Sequence, residues 1–124
     1  MNSALLVDDD SFVVRALERL LTHHCDLDVV RAYSVLAALD TLEVRRFDVL
    51  VCDATMPGLS GPTLLKIASE RWPEMRRVLY SGYIEHGSYM PGHEFADERL
   101  GKTTDPVEVA QTICRLAQTP RAVK

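Results

Sequence analysis

Val49-Leu50-Val51-Cys52-Asp53-Ala54-Thr55-Met56-Pro57-Gly58 is the stretch that decides the fold. The apolar run Val49 to Cys52 reads as an extended segment, Asp53 closes it, and the chain turns at once through Met56-Pro57-Gly58. A carboxylate therefore sits where a strand meets its loop. In open α/β sheets, ligands bind in the crevice outside the carboxyl ends of parallel strands, so an acid at that place is suggestive. The pattern recurs. Ala4-Leu5-Leu6-Val7 ends in Asp8-Asp9-Asp10, and Val78-Leu79-Tyr80 ends in Ser81-Gly82. Three apolar strands ending in acid, acid and hydroxyl converge on one edge of a parallel sheet.

Outward from that stretch, short apolar runs alternate with helix-period segments, the mark of βαβ units. The reading is α/β: a doubly wound, five-stranded parallel sheet flanked by about five helices. Ser11 is expected to cap a first helix with Val13, Leu17, Leu20 and Leu21 on one face. Leu27 to Ala32 reads as the second strand, and Ser34 caps a second helix with Leu36, Leu39 and Leu42 inward. A third helix follows Gly61-Pro62, carries Leu64, Leu65 and Ala68 on its apolar face, and ends at Trp72-Pro73. Arg77 to Tyr80 is the fourth strand. Gly87, Pro91 and Gly92 interrupt Tyr83 to Arg99, so the fourth helix is expected to be short or irregular there. The fifth strand is drawn from Phe95 to Leu100. Asp105-Pro106-Val107-Glu108 is a capping-box arrangement, starting a last helix that runs to about Ala117 and buries Val109, Ile113 and Leu116.

At 124 residues and 47% hydrophobic content the chain suits one domain, expected over residues 1–118 with 119–124 as a tail or linker start. No apolar stretch approaches a membrane span and no leader pattern opens the sequence, so a cytoplasmic location is expected. The net charge of −4 offers no footprint for nucleic acid. Cys25, Cys52 and Cys114 lack local spacing, which predicts neither a disulfide framework nor a zinc site; each reads as a small core residue.

Gathering Asp8, Asp9 and Asp53 at one sheet edge brings together like charges that call for a counter-ion. Mg²⁺ fits. It prefers hard oxygens, uses one or two carboxylates, and completes its shell with water and phosphate. Lys102 can add an ammonium for phosphoryl charge and Ser81 a hydroxyl donor to a phosphate oxygen.

In this order, the acidic pair after the first strand, Asp53-x-x-Met56-Pro57-Gly58, Ser81 and Lys102 resemble the receiver domain of two-component response regulators, a flavodoxin-like fold. The resemblance covers essentially the whole chain. It implies a signalling phosphoacceptor rather than a conventional enzyme. Asp53 would take a phosphoryl group from a sensor histidine kinase or histidine phosphotransfer protein. Asp9 would ligate Mg²⁺ directly, Asp8 mainly through water, and Thr55 through its backbone carbonyl. Lys102 would pair with the phosphoryl oxygens, and Ser81 would move toward them. A surface made by the fourth helix, fifth strand and fifth helix would then engage an effector protein or an attached output domain. Tyr83, two residues beyond Ser81, is placed to screen the site from water.

Two positions depart from the family's pattern. Arg99 stands three before Lys102 where the family has an aromatic ring, and Thr103 follows the lysine where the family has a proline, usually in a cis bond. A cis bond at a non-proline residue costs roughly 3 kcal/mol, so the loop is either rebuilt or strained. An atypical output face is expected. Two other readings use the same residues. One is a degenerate receiver that only binds partners. The other is a phosphatase resembling the haloacid dehalogenases, with Asp8 as nucleophile in Asp8-x-Asp10; Ser11-Phe12 after Asp10 and the role left unfilled by Asp53 weigh against it.

Overall fold

Strands and helices alternate along the chain, and every pairing between strands is parallel. The computed structural model describes residues 1–54, 56, 58, 60–82 and 93–121. The strands are β1 (Asn2–Val7), β2 (Leu27–Ala32), β3 (Val49–Cys52), β4 (Arg76–Ser81) and β5 (Glu98–Gly101). The α-helices are α1 (Ser11–His24), α2 (Val35–Val44), α3 (Gly61–Arg71) and α4 (Pro106–Ala117), and a short 3₁₀ turn, His93–Phe95, leads into β5. The sheet order is β2-β1-β3-β4-β5, the doubly wound arrangement whose switch point lies between β1 and β3.

Residue alternation along the strands sends side chains to two cores. Ala4, Leu6, Val49, Val51, Val78 and Leu100 face α1 and α4, meeting Val14, Leu17, Leu21, Val109 and Ile113. Leu5, Val7, Leu50, Cys52 and Leu79 face α2 and α3, meeting Val35, Ala38, Leu42, Leu64, Leu65 and Ala68. Truncating a leucine as buried as Leu50 or Leu64 to alanine costs about 2–5 kcal/mol, so these layers set the positions of everything at the strand ends.

Several local expectations need correction. The cap of α1 is Asp10, not Ser11: its Oδ1 accepts from the Phe12 and Val13 amides at 2.9 and 3.4 Å. A carboxylate acceptor there also suits the positive helix end. In α2, Leu42 is buried and Leu39 packs partly buried against the core as expected, but Val35 and Ala38 complete the buried stripe and Leu36 is 65% exposed. The described residues contain four α-helices rather than about five; the expected fourth helix falls in residues 83–92, outside the described set, as does Tyr83. The capping box of α4 is half made: Asp105 Oδ1 accepts from the Val107 amide at 2.8 Å.

The cysteine reading holds for Cys52, a buried core residue, and is overturned for the other two. Cys25 and Cys114 are joined by a disulfide with a Cα separation of 6.4 Å. Their distance of 89 residues along the chain hid the pairing, which arises because α1 and α4 pack side by side on one sheet face. Cys52 is the buried free cysteine. Of the expected tail, residues 119–121 lie against the N-terminal end of the sheet: the Arg76 Nε donates to the Thr119 carbonyl and the Arg121 amide to that of Glu74.

Candidate functional site

Three site residues are held by one further rung of the sheet. The Asp8 amide donates to Ala32 O at 3.2 Å, the Asp53 amide to Val7 O at 3.0 Å, and the Lys102 amide to Ser81 O at 3.0 Å. The strand ladders thus run one residue beyond β1, β3 and β5, and the side chains that follow gather at a common rim. Asp8 and Asp53 are buried there, and Asp9 is exposed.

One carboxylate oxygen from each of Asp8, Asp9 and Asp53 lies within 4.8 Å of the others. Asp8 Oδ1 accepts from the Asp10 amide at 3.0 Å, and its Oδ2 accepts from Lys102 Nζ at 2.9 Å. The same ammonium is 3.6 Å from Asp53 Oδ1. Partial burial works to lower the Lys102 pKa, but the hydrogen bond to Asp8 and the charges of Asp53 and Asp8 outweigh it, so the amine is held above its ordinary value. Ser81 closes β4, fully buried, beside Gly101 of β5. Three acids with hard oxygen donors suit a divalent cation such as Mg²⁺. Thr55 lies outside the described residues.

The Lys102–Thr103 bond is trans, since the described residues contain no cis peptide. Of the two outcomes expected when proline is replaced, the loop is the rebuilt one, in keeping with the cost of a non-proline cis bond. It turns through a hydrogen bond from the Thr104 amide to Gly101 O at 3.0 Å before Asp105 starts α4.

Two residues beside the acids make contacts with Asp53 that their sequence reading did not include. A Cβ on Gly61 would fall 1.8 Å from Asp53 O and 3.0 Å from Cys52 Sγ, so only glycine lets α3 begin against the backbone of Asp53. The signal was available: Ser60 already caps the helix, accepting from the Thr63 amide at 3.4 Å, so a glycine at the first helical position has no turn to make and close packing remains as its reason. Cys52 donates its thiol to Asp53 O at 3.2 Å. Burial, then the charges of Asp53 and Asp8, push that thiol's pKa up, so it stays protonated and inert.

Fold and site together define a doubly wound α/β domain with an acidic, lysine-bearing rim. The chain belongs to the response regulator receiver domain family, whose profile matches residues 4–113. It is 36% identical over 90 residues to the hydrogenase transcriptional regulatory protein HoxA of Cupriavidus necator, covering 73% of this chain and 18% of that protein. To HoxA of Bradyrhizobium diazoefficiens it is 30% identical over 122 residues, covering 97% of this chain and 25% of that protein. The chain therefore spans a quarter or less of the length of these relatives. Among solved structures, the response regulator TrrA of Thermotoga maritima, in complex with Mg²⁺ and BeF, shares the fold at a TM-score of 0.85 and 22% identity, over 94% of this chain and 99% of that one. TrrA bound to the histidine kinase ThkA matches at a TM-score of 0.84 and 23% identity, over 94% and 98% of the two chains. This is a receiver domain of two-component signalling.

Proposed function

We propose that Asp53 is the phosphoacceptor. Its carboxylate oxygen attacks phosphorus, the bond from phosphorus to the donor's imidazole nitrogen breaks, and an acyl phosphate forms on Asp53 while the histidine keeps the electron pair. The observation that carries this reading is one ammonium, Lys102 Nζ, reaching both Asp8 and Asp53 inside a three-acid cluster on the strand-end rim. Lys102 is already charged and aimed where phosphoryl oxygens would arrive, so little reorganisation is needed. Ser81 donates to a phosphoryl oxygen and so reports the modification.

Asp8, Asp9 and Asp53 would hold Mg²⁺, with the Thr55 carbonyl as a further ligand. Bound there, the cation neutralises the charge that accumulates between carboxylates and phosphoryl group. The donor is a sensor histidine kinase or a histidine phosphotransfer protein. TrrA, which shares this fold, is seen with such a kinase. The output is an effector protein or an attached domain, in keeping with much longer relatives named as transcriptional regulators. Among the described residues no helix is long and apolar enough to cross a membrane, and a cytoplasmic site of action is part of the proposal.

The output face is atypical. Arg99 is exposed on β5, and no ion pair holds it among the described residues; a surface guanidinium stands where the family rotates an aromatic ring. The domain acts as a phosphoacceptor, not as a binding-only module or an Asp8-dependent phosphatase. Incubation with acetyl phosphate and Mg²⁺, followed by mass mapping, is expected to place one phosphoryl group on Asp53 and none on Asp53→Asn. A label on Asp8 would favour the phosphatase reading, and no incorporation in the parent would favour the binding-only one.

A further inference from the structure

We propose that Cys25 and Cys114 are a reversible thiol–disulfide pair that sets how firmly α4, and the Lys102 loop leading into it, is held against α1. Cys25 caps the C-terminal end of α1, and Cys114 is buried in α4 on the same sheet face. Their Cα atoms, 6.4 Å apart, lie within the range a disulfide spans without backbone movement. At the opposite ends of these two helices, Lys102, just before α4, pairs with Asp8, just before α1. The helix pair is thus joined ionically at the rim and covalently at the base. Forming or opening the bond changes one of two ties.

Three features make the pair selective and reversible. First, the packing does not need it: Val14, Leu17, Leu21, Val109, Ile113 and Leu116 already form a buried core between these helices and the sheet. The domain is unlike the small scaffolds that require disulfides to fold. Second, the thiols differ in access. Cys25 is partly exposed, whereas Cys114 is 8% exposed. Third, the remaining cysteine cannot compete, because Cys52 is fully buried on the other sheet face.

The exchange balances with a small-molecule disulfide such as oxidised glutathione as oxidant. The Cys25 thiolate attacks one of its sulfurs and releases one glutathione thiolate, leaving a mixed disulfide. The Cys114 thiolate then attacks Cys25 Sγ and expels the second. Two protein thiols lose two protons and two electrons, and one glutathione disulfide becomes two thiols.

This inference does not depend on phosphotransfer and is tested without it. The full chain is equilibrated in glutathione buffers of stepped oxidised-to-reduced ratio, alkylated, and digested for mass analysis, with thermal melts and amide exchange on each sample. The expected result is a Cys25–Cys114 linked peptide that rises and falls with the ratio. The oxidised melting midpoint should be higher by on the order of 10 °C, because the bond closes a long loop of the unfolded chain. Amide exchange along α4 should be faster in the reduced form. Cys25→Ser is expected to melt at the reduced parent's midpoint under both conditions; Cys114→Ala serves as the second variant. No linked peptide at any ratio would overturn the proposal. So would a link that glutathione cannot reverse, or equal midpoints and equal α4 exchange in the two forms.

Discussion

The two ends of the sheet treat their acids in opposite ways. At the N-terminal end Asp48 and Asp97 each have their own donors. Asp48 Oδ2 accepts from the Ser3 amide at 2.8 Å; Asp97 Oδ2 accepts from the Arg77 amide at 2.8 Å, while its Oδ1 faces Arg76 and Arg121. At the C-terminal end, among the described residues, Asp8 and Asp53 share one lysine beside the exposed Asp9. Matched acids hold loops and tail in place; the mismatched cluster carries surplus negative charge, which is the requirement for taking a cation and then a phosphoryl group. Shape is a poorer guide. A concavity of about 270 Å³, bordered by Ser3, Phe47, Asp48, Trp72 and Met75, lies at the matched end and includes none of Asp8, Asp9 and Asp53.

The sharpest way to break the contrast is Gly61→Ala, because its new methyl meets backbone at the mismatched end and cannot turn aside. A loss of about 3 kcal/mol or more is expected, read as a lower denaturation midpoint, together with slower phosphoryl incorporation as Asp53 is displaced. Asp97→Ala attacks the matched end. It leaves buried donors near Arg77 without their acceptor and should cost about 2 kcal/mol in denaturant melts, with incorporation per folded molecule unchanged. A parallel fall in incorporation would mean the two ends are coupled.

Lys102→Met tests the mismatched end from its positive side. The side chain is about a quarter exposed and its ion pairs are partly screened, so stability should move by about 1 kcal/mol or less while incorporation at Asp53 falls sharply. The pH sign follows from the raised lysine pKa. The charged amine's contribution is fully present below the ordinary 10.5 and is lost as pH rises through the higher folded value. The difference in melting midpoint between parent and variant should therefore be flat on the alkaline side of neutrality up to 10.5, and shrink only above it. Arg99→Ala should have the smallest effect on stability, within about 0.5 kcal/mol, because the side chain is exposed. Effector binding should change while incorporation does not, and equal loss of both would remove Arg99 from the output face.

How much of this was legible depended on the range of the interaction concerned. β2 and β3 lie at their expected bounds, and α4 begins at the Asp105-Pro106 signal and ends at Ala117, because runs of apolar residues, prolines and caps act within a few neighbours. Asp8, Asp53 and Ser81 could also be read, since each follows the end of an apolar run, whereas Lys102 follows the charged β5 and is legible only through the family resemblance. The cap of α1 and the first inward residue of α2 were misread: adjacent residues there offer nearly equivalent local choices, Asp10 or Ser11, Leu36 or Val35. Arg77 read as an ordinary strand residue, yet its guanidinium is buried and donates to the Phe95 carbonyl at 2.7 Å and to that of Met75 at 3.3 Å.

By itself the sequence determined the alternation of strand and helix, and hence that Asp8, Asp9, Asp53 and Ser81 end up along one rim, since a parallel sheet places all its strand ends together. Only the tertiary structure decided that Lys102 bridges Asp8 and Asp53, that α3 needs a glycine against Asp53 O, and that Cys25 meets Cys114. Periodicity and capping are short-range and repeat along the chain. Contacts between residues tens of positions apart depend on the packing of whole helices onto the sheet, which no local pattern encodes.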